Sequence, residues 1–234
     1  MEFDHPSALC QRLAKGQLDV ALVSSFEFLR NPIYRIVDDV SISSDGPVYS
    51  VVVAHRGEFS DIGEIELDPA SETAVNLLRC LLAELELTAP LTSSGSDSAG
   101  LRRACLVIGD QAIRFRQSHA DAYQFWDLGE QWKKLTGLPF VYALWLIRPE
   151  VPDAKSIAQR LRGLRDDNLA DISGIVADAV DNEEASTREF LNRYYREYLR
   201  FGFGTREAQG LQSFADLCAK HRVLPKQDRE FSLV

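Results

Sequence analysis

The chain has 234 residues, of which 45% are apolar and 26% charged, so it can bury a core without disulfides or metals and does not have a disordered composition. Its formal net charge of −9 lacks the basic footprint that nucleic acid or an anionic membrane surface requires, and neither is expected as a partner. An anionic substrate would have to be held at short range, by helix ends and hydroxyls, against a mildly repelling overall field.

The opening MEFDHPSALCQRLAKG has no cationic stretch leading into an apolar one. No apolar run approaches the roughly 20 residues of a bilayer span, so a cytoplasmic location is expected. Ser7 to Lys15 reads as an amphipathic helix ended by Gly16, and Leu18 to Val23 as a buried strand. Helix before strand is unusual for an α/β chain and predicts a further strand upstream. Ser24 and Ser25 end the strand and can cap a short helix, Phe26 to Arg30, stopped by Asn31-Pro32.

Tyr34 to Val40 is the next strand candidate and leads into VSISSDGPVYSVVV, Val40 to Val53. Here Ser41, Ser43, Ser44 and Ser50 supply hydroxyls, Gly46-Pro47 makes a turn whose backbone N–H groups can face a ligand, and Val48 to Ala54 resumes a strand. Serine-rich turns before valine runs also occur without any ligand.

Glu64 to Leu67 is a short strand, and Asp68 to Thr73 starts a helix whose stripe is Leu77, Leu78, Leu81, Leu82 and Leu85. Ser71 and Thr73 either cap this helix or, with its free N–H groups, seat a carboxylate. Thr92 to Gly100 reads as a polar loop. Ala104 to Ile108 is a buried strand ending at Gly109-Asp110, before a helix over Gln111 to Gln117. That pair puts a polar group at the carboxyl edge of a sheet, where open α/β sheets bind ligands; the other reading of Asp110 is a helix cap.

Asp127 to Gly137 is a short helix and Leu138 to Ile147 (LPFVYALWLI) a long apolar strand. From Asp153 onward the pattern is helical, with Leu191, Tyr195 and Leu199 on one face, a break at Gly202-Phe203-Gly204, and a last helix over Ala208 to His221. Trp126, Trp132 and Trp145 are read as packing residues. Cys10, Cys80, Cys105 and Cys218 are far apart and read as reduced, mostly buried thiols; the scattered His5, His55, His119 and His221 predict no metal site.

Three stretches taken together, SISSDGPVYSV (Ser41 to Val51), LDPASETAVNLL (Leu67 to Leu78), and LVIGDQAI with DLGEQWKKLTGLPFVYALW (Leu106 to Ile113, Asp127 to Trp145), resemble in order and spacing the chorismate dehydratases of the futalosine route to menaquinone. The resemblance runs from about Ser7 to about Val151. It implies a two-lobed α/β fold of the periplasmic-binding-protein-like type II class, with chorismate in a cleft between lobes. Lobe 1 would hold residues 1–47, lobe 2 residues 48–150, and 151–234 would be helices returning to lobe 1, with crossovers near Gly46 to Val51 and Ile147 to Pro152.

The activity implied is a hydro-lyase that needs neither metal nor organic cofactor. By the same resemblance Ser44, ahead of Ser43, is the catalytic hydroxyl; with it, Ser43, Gly46, Ser71, Thr73, Gly109 and Asp110, read above from the turn, the helix start and the strand end, are the expected substrate-binding residues. The family opens with a strand and a tyrosine-leucine-asparagine loop whose asparagine belongs to the active site, and no residue here takes that position by motif. That implies a start set downstream or a remnant with an open cleft. A non-catalytic module binding a small carboxylate is the competing reading, and a later enzyme of the same route, acting on a cyclic futalosine derivative, is a third. Nothing in the pattern sets an oligomeric state.

Overall fold

The computed structural model describes all residues except 1, 3, 5, 69–70, 94–102, 180–184 and 228–229. Helix α1 (Pro6–Ala14) buries Cys10 and Leu13 and leads to strand β1 (Val20–Ser24), helix α2 (Ser25–Arg30) and strand β2 (Arg35–Ser44). Strand β3 (Val51–His55), β4 (Glu64–Leu67), α3 (Glu72–Glu84), β5 (Leu91–Ser93) and β6 (Arg103–Ile108) follow. Then come α4 (Gly109–Ser118), β7 (Gln124–Asp127), α5 (Leu128–Thr136) and β8 (Phe140–Ile147). The rest is helical: α6 (Ala154–Ala170), α7 (Ile172–Ala179), α8 (Ala185–Arg193), a π-helical turn at Tyr194–Tyr198, and α9 (Thr205–Lys220).

Two sheets organise these elements. One has the order β1-β8-β2, with β8 antiparallel to both neighbours. The other has the order β5-β4-β6-β3-β7, in which β4 is parallel to β5 and β6 while β3 is antiparallel to β6 and β7. All five β3 residues are buried, which fits a central strand and the uninterrupted run of β-branched side chains there.

The chain leaves the β1-β8-β2 sheet over 45–50 and returns to it over 128–139. Phe140–Ile147 pairs with β1 and β2. An all-apolar strand has no patterned face, so its run of residues signals burial but not which sheet it enters.

Three smaller differences concern element ends. The strand over Tyr34 to Val40 continues to Ser44, and the turn occupies only 45–50. Leu91–Ser93, partly inside the expected polar loop, forms β5, while residues 94–100 of that loop lie outside the described residues. Leu85, at the end of the α3 stripe, is the C-cap and is 39% exposed. The cysteines are mostly buried, as expected, with Cys105 partly exposed.

Helix α5 ends at Gly137, whose φ of 71° lets the C-cap turn left-handed and donate to Lys133 O. Its Trp132 is fully buried and packs edge-on against Phe140 and Phe214, with ring centroids 5.1 and 6.1 Å away. Trp126 packs on Phe59 at 4.6 Å. The outer edge of β2 is covered by the C-terminal part of the chain: Ser41 N donates to Phe201 O, Ser43 N to Arg200 O and Ile36 N to Ser232 O. This protects a strand that would otherwise offer unpaired backbone to other chains.

Candidate active site

The two crossovers, 45–50 and 128–139, meet beside the hydroxyls of Ser44 and Tyr142. At the end of β2, Ser44 Oγ donates to Gly46 O at 3.0 Å and lies 3.1 Å from the Tyr142 hydroxyl on β8. With its proton committed to the carbonyl, Ser44 accepts from Tyr142. Burial raises the Tyr142 phenol well above its ordinary value, with Asp127 adding to the effect, so it stays a neutral donor. Gly129, in the first turn of α5, lies over this pair. A Cβ there would come within 2.6 Å of Gly46 O, 2.7 Å of the Tyr142 hydroxyl and 2.8 Å of Ser44 Oγ, so only glycine fits.

Ser44 is 1% exposed and Ser43 is fully buried. Ser43 pairs through its backbone with Arg200, and its hydroxyl reaches Arg200 O at 3.3 Å. Gly46, at φ 136°, sits in the turn with open space where a Cβ would be.

A second group joins α3 to the β1-β8-β2 sheet. Thr73 Oγ1 hydrogen-bonds Ser24 Oγ, accepts from Phe26 N at 3.2 Å and lies 3.4 Å from Ser25 Oγ. Ser25 Oγ donates to Val141 O at 2.7 Å. Ser71 is the N-cap of α3 and accepts from Ala74 N at 3.3 Å. In this arrangement Ser71 caps and Thr73 ties two elements together.

The third group surrounds Ser50. Its carbonyl accepts from Gly109 N at 2.8 Å, and its Oγ accepts from the Tyr194 hydroxyl at 2.7 Å. Gly109, at φ 59°, begins α4, and Asp110 follows it with its side chain exposed; Asp110 raises Tyr194 and Tyr195 further above the level set by their burial. Tyr194 itself is pushed up to about 12, chiefly by burial. Asp110 does not cap α4, since Ile108 holds that position.

Asp127 links the crossovers. It is 3% exposed, caps α5 by accepting from Glu130 N at 3.1 Å, and accepts from Val48 N at 3.0 Å and Tyr49 N at 2.7 Å. Burial raises its pKa, although those three amides and Arg116, 3.8 Å away, act to lower it. Arg116 also lies over the Tyr49 ring, 4.1 Å from its centroid.

The structure thus brings Ser43, Ser44 and Gly46 together, places Gly109 and Asp110 beside Ser50 and Tyr194, and sets Ser71 and Thr73 at the start of α3. Sequence reasoning did not single out Tyr142, Tyr194, Asp127, Gly129 or Arg116. Tyr142, Asp127 and Gly129 lie within the DLGEQWKKLTGLPFVYALW stretch, where polar residues interrupt or end apolar runs, and that interruption was the available signal. Among the described residues no group of three or more His, Cys, Asp or Glu could hold a metal ion, and no helix is long and apolar enough to cross a membrane.

A family model described as menaquinone biosynthesis matches residues 1–220. The chain belongs to the menaquinone biosynthesis family. The family member is 29% identical over 228 residues to a chorismate dehydratase of Thermus thermophilus, covering 90% of this chain and 83% of that one.

Solved structures show the fold of this menaquinone biosynthesis protein. The alkanesulfonate-binding protein SsuA of Xanthomonas axonopodis pv. citri, bound to MOPS, superposes with a TM-score of 0.68 at 18% identity, over 97% of this chain and 83% of SsuA. Protein AF1704 of Archaeoglobus fulgidus gives 0.61 at 16% identity over 95% and 86% of the two chains. The CA3427 gene product of Candida albicans, described as having the generic periplasmic binding protein fold, gives 0.60 at 11% identity over 96% and 79%. The fold is the two-lobed type II periplasmic-binding-protein-like fold, with the β1-β8-β2 sheet in one lobe and the five-stranded sheet in the other.

Proposed function

We propose that this protein is a chorismate dehydratase, a cytoplasmic hydro-lyase that converts chorismate to 3-[(1-carboxyvinyl)oxy]benzoate in the futalosine route to menaquinone. The similarity to the Thermus thermophilus enzyme along 90% of the chain is the observation that carries this reading. The paired hydroxyls of Ser44 and Tyr142 support it, because they can hydrogen-bond a leaving hydroxyl.

In the reaction a ring C–H bond breaks and its electron pair becomes part of the aromatic ring. A carboxylate of chorismate takes up that proton, the neighbouring C–O bond breaks, and the leaving hydroxyl receives the proton back from the carboxylic acid to depart as water. Aromatisation drives the step, so the protein's contribution is orientation and placement of dipoles. Ser44 is the hydroxyl assigned to the reacting ring, oriented by Tyr142. Ser43, Gly46, Gly109 and Asp110 line the substrate, and Ser71 and Thr73 at the N-terminus of α3 seat one carboxylate. A carboxylate of chorismate itself is the proton acceptor.

A non-catalytic module for a small carboxylate is the second reading. It is favoured by one observation: the hydroxyls of Ser44 and Thr73 are engaged within the protein and buried. Incubation with chorismate, followed by chromatography and mass spectrometry, separates the two. Dehydratase activity yields an aromatic product lighter by one water; saturable chorismate binding with no such product leaves the binding module.

A further inference from the structure

The buried carboxylate of Asp127 touches both crossovers at once, and an ion pair between Lys133 and Asp45 joins them at the partly exposed side. It stands at the end of β7, opposite Val52 of β3, and at the start of α5. One oxygen accepts from Val48 N and Glu130 N, the other from Tyr49 N. Its amide partners at 48 and 49 belong to the passage that begins at Ser44, and Glu130 is the neighbour of Gly129, which covers Ser44.

Tyr49 explains what the carboxylate resists. Its φ of 68° is left-handed, a conformation that a bulky side chain leaves unless its surroundings hold it. Asp127 binds its N–H, Arg116 lies on its ring, and the rings of Phe190 and Tyr198 pack on it at 4.8 and 5.4 Å. The aromatic contacts hold the side chain; only Asp127 ties its backbone amide to the second crossover.

We infer that Asp127 is a positioning residue: it locks the passage 45–50 against the first turn of α5, and so sets Ser44, Gly46 and Tyr142 in a single arrangement. Only the kinetic half of this inference rests on the dehydratase reading. Asp127 does not touch the reacting atoms and acts through the backbone of Val48 and Tyr49.

Asp127→Asn in the full chain is the sharp probe. The amide keeps Oδ1 for Val48 and Glu130 but turns an N–H group toward Tyr49 N, donor against donor. Asp127→Ser is the second variant, since a serine still caps α5 but cannot reach both amides. Residue-resolved hydrogen exchange should show faster exchange at Tyr49, by about tenfold or more, spreading to Gly46 and Val48. Turnover of chorismate should fall about tenfold or more in kcat, with KM changed less than threefold.

Asp171→Ala is the control for a merely structural effect. Asp171 Oδ1 accepts from Gly174 N at 3.0 Å near the start of α7, so its loss lowers stability while leaving kcat unchanged. Two results overturn the inference: a Tyr49 amide that stays protected in both Asp127 variants, or a released Tyr49 with wild-type kcat. If the wild-type protein does not turn over chorismate, the dehydratase reading fails, and exchange alone decides the lock. Release of the whole 46–49 passage upholds it, and release of Tyr49 alone overturns it.

Discussion

The hydroxyls of Ser44 and Tyr142 are 3.1 Å apart, and their hydrogen bond has one direction, because the serine proton is already given to Gly46 O. The two residues are 98 positions apart and sit at the ends of strands in one sheet, so the bond reports how that sheet closes. Tyr142→Phe removes the donor and should cost about 1 kcal/mol of stability. Ser44→Ala leaves the phenol without its acceptor and should cost more, about 1–3 kcal/mol. Urea unfolding of both single variants and the double variant should show the double to be less than additive, with a coupling of about 0.5 kcal/mol or more.

Gly129→Ala tests the contact above that pair. Its Cβ would lie under 3.0 Å from three polar atoms, the nearest of them the backbone carbonyl of Gly46. Overpacking of this kind costs about 1–3 kcal/mol. The expected result is a lower denaturation midpoint, together with reduced kcat if Ser44 serves chorismate; an unchanged midpoint would mean that α5 shifts freely.

The tie between α3 and the start of α2 should cost more to lose than the cap beside it. Thr73→Val keeps the shape but strands Phe26 N and the hydroxyl of Ser24 in a buried site, for about 1–3 kcal/mol. Ser71→Ala removes a surface cap worth about 1 kcal/mol. Chemical denaturation of the two variants side by side checks the order.

Stability should depend on pH with opposite signs at two buried groups. Burial lowers the pKa of His55, so its contribution is present above the ordinary value of 6.5 and is lost as pH falls through the lower folded value. Urea midpoints should therefore drop from pH 7 toward pH 5, and His55→Gln, which can still donate to Gly57 O, should flatten that drop. Asp127 is raised, chiefly by burial, so its contribution is full below 3.8 and is lost as pH rises through its folded value. Asp127→Asn should remove that second slope.

Most elements were legible because their signals are local. The α3 start at Ser71, the stop of α5 at Gly137 and the β-branched run of β3 each follow from a few adjacent residues. Placing Phe140–Ile147 required a long-range choice that its uniform apolarity does not encode, and β7 (Gln124–Asp127) is too short to show a period. The serine turn was legible as a place of interest, yet its geometry depends on Tyr142, Gly129 and Asp127, which act across 79 to 98 positions. Their contribution lies in distance and hydrogen-bond direction, which no spacing rule expresses.

The return of β8 between β1 and β2 has a consequence for how the chain is made. β1 and β2 share no edge, so they cannot form a sheet until Phe140–Ile147 has left the ribosome. The five strands of the other sheet are all complete by Asp127 and contact one another over shorter separations. That lobe should fold first during synthesis, while α1 to β2 wait with their apolar faces open and are the segment that a chaperone would hold. Arrested chains long enough to have released Asp127 but not Phe140–Ile147 from the ribosome should show protease resistance in the five-stranded sheet alone, and chains that have released both should show it in the β1-β8-β2 sheet as well.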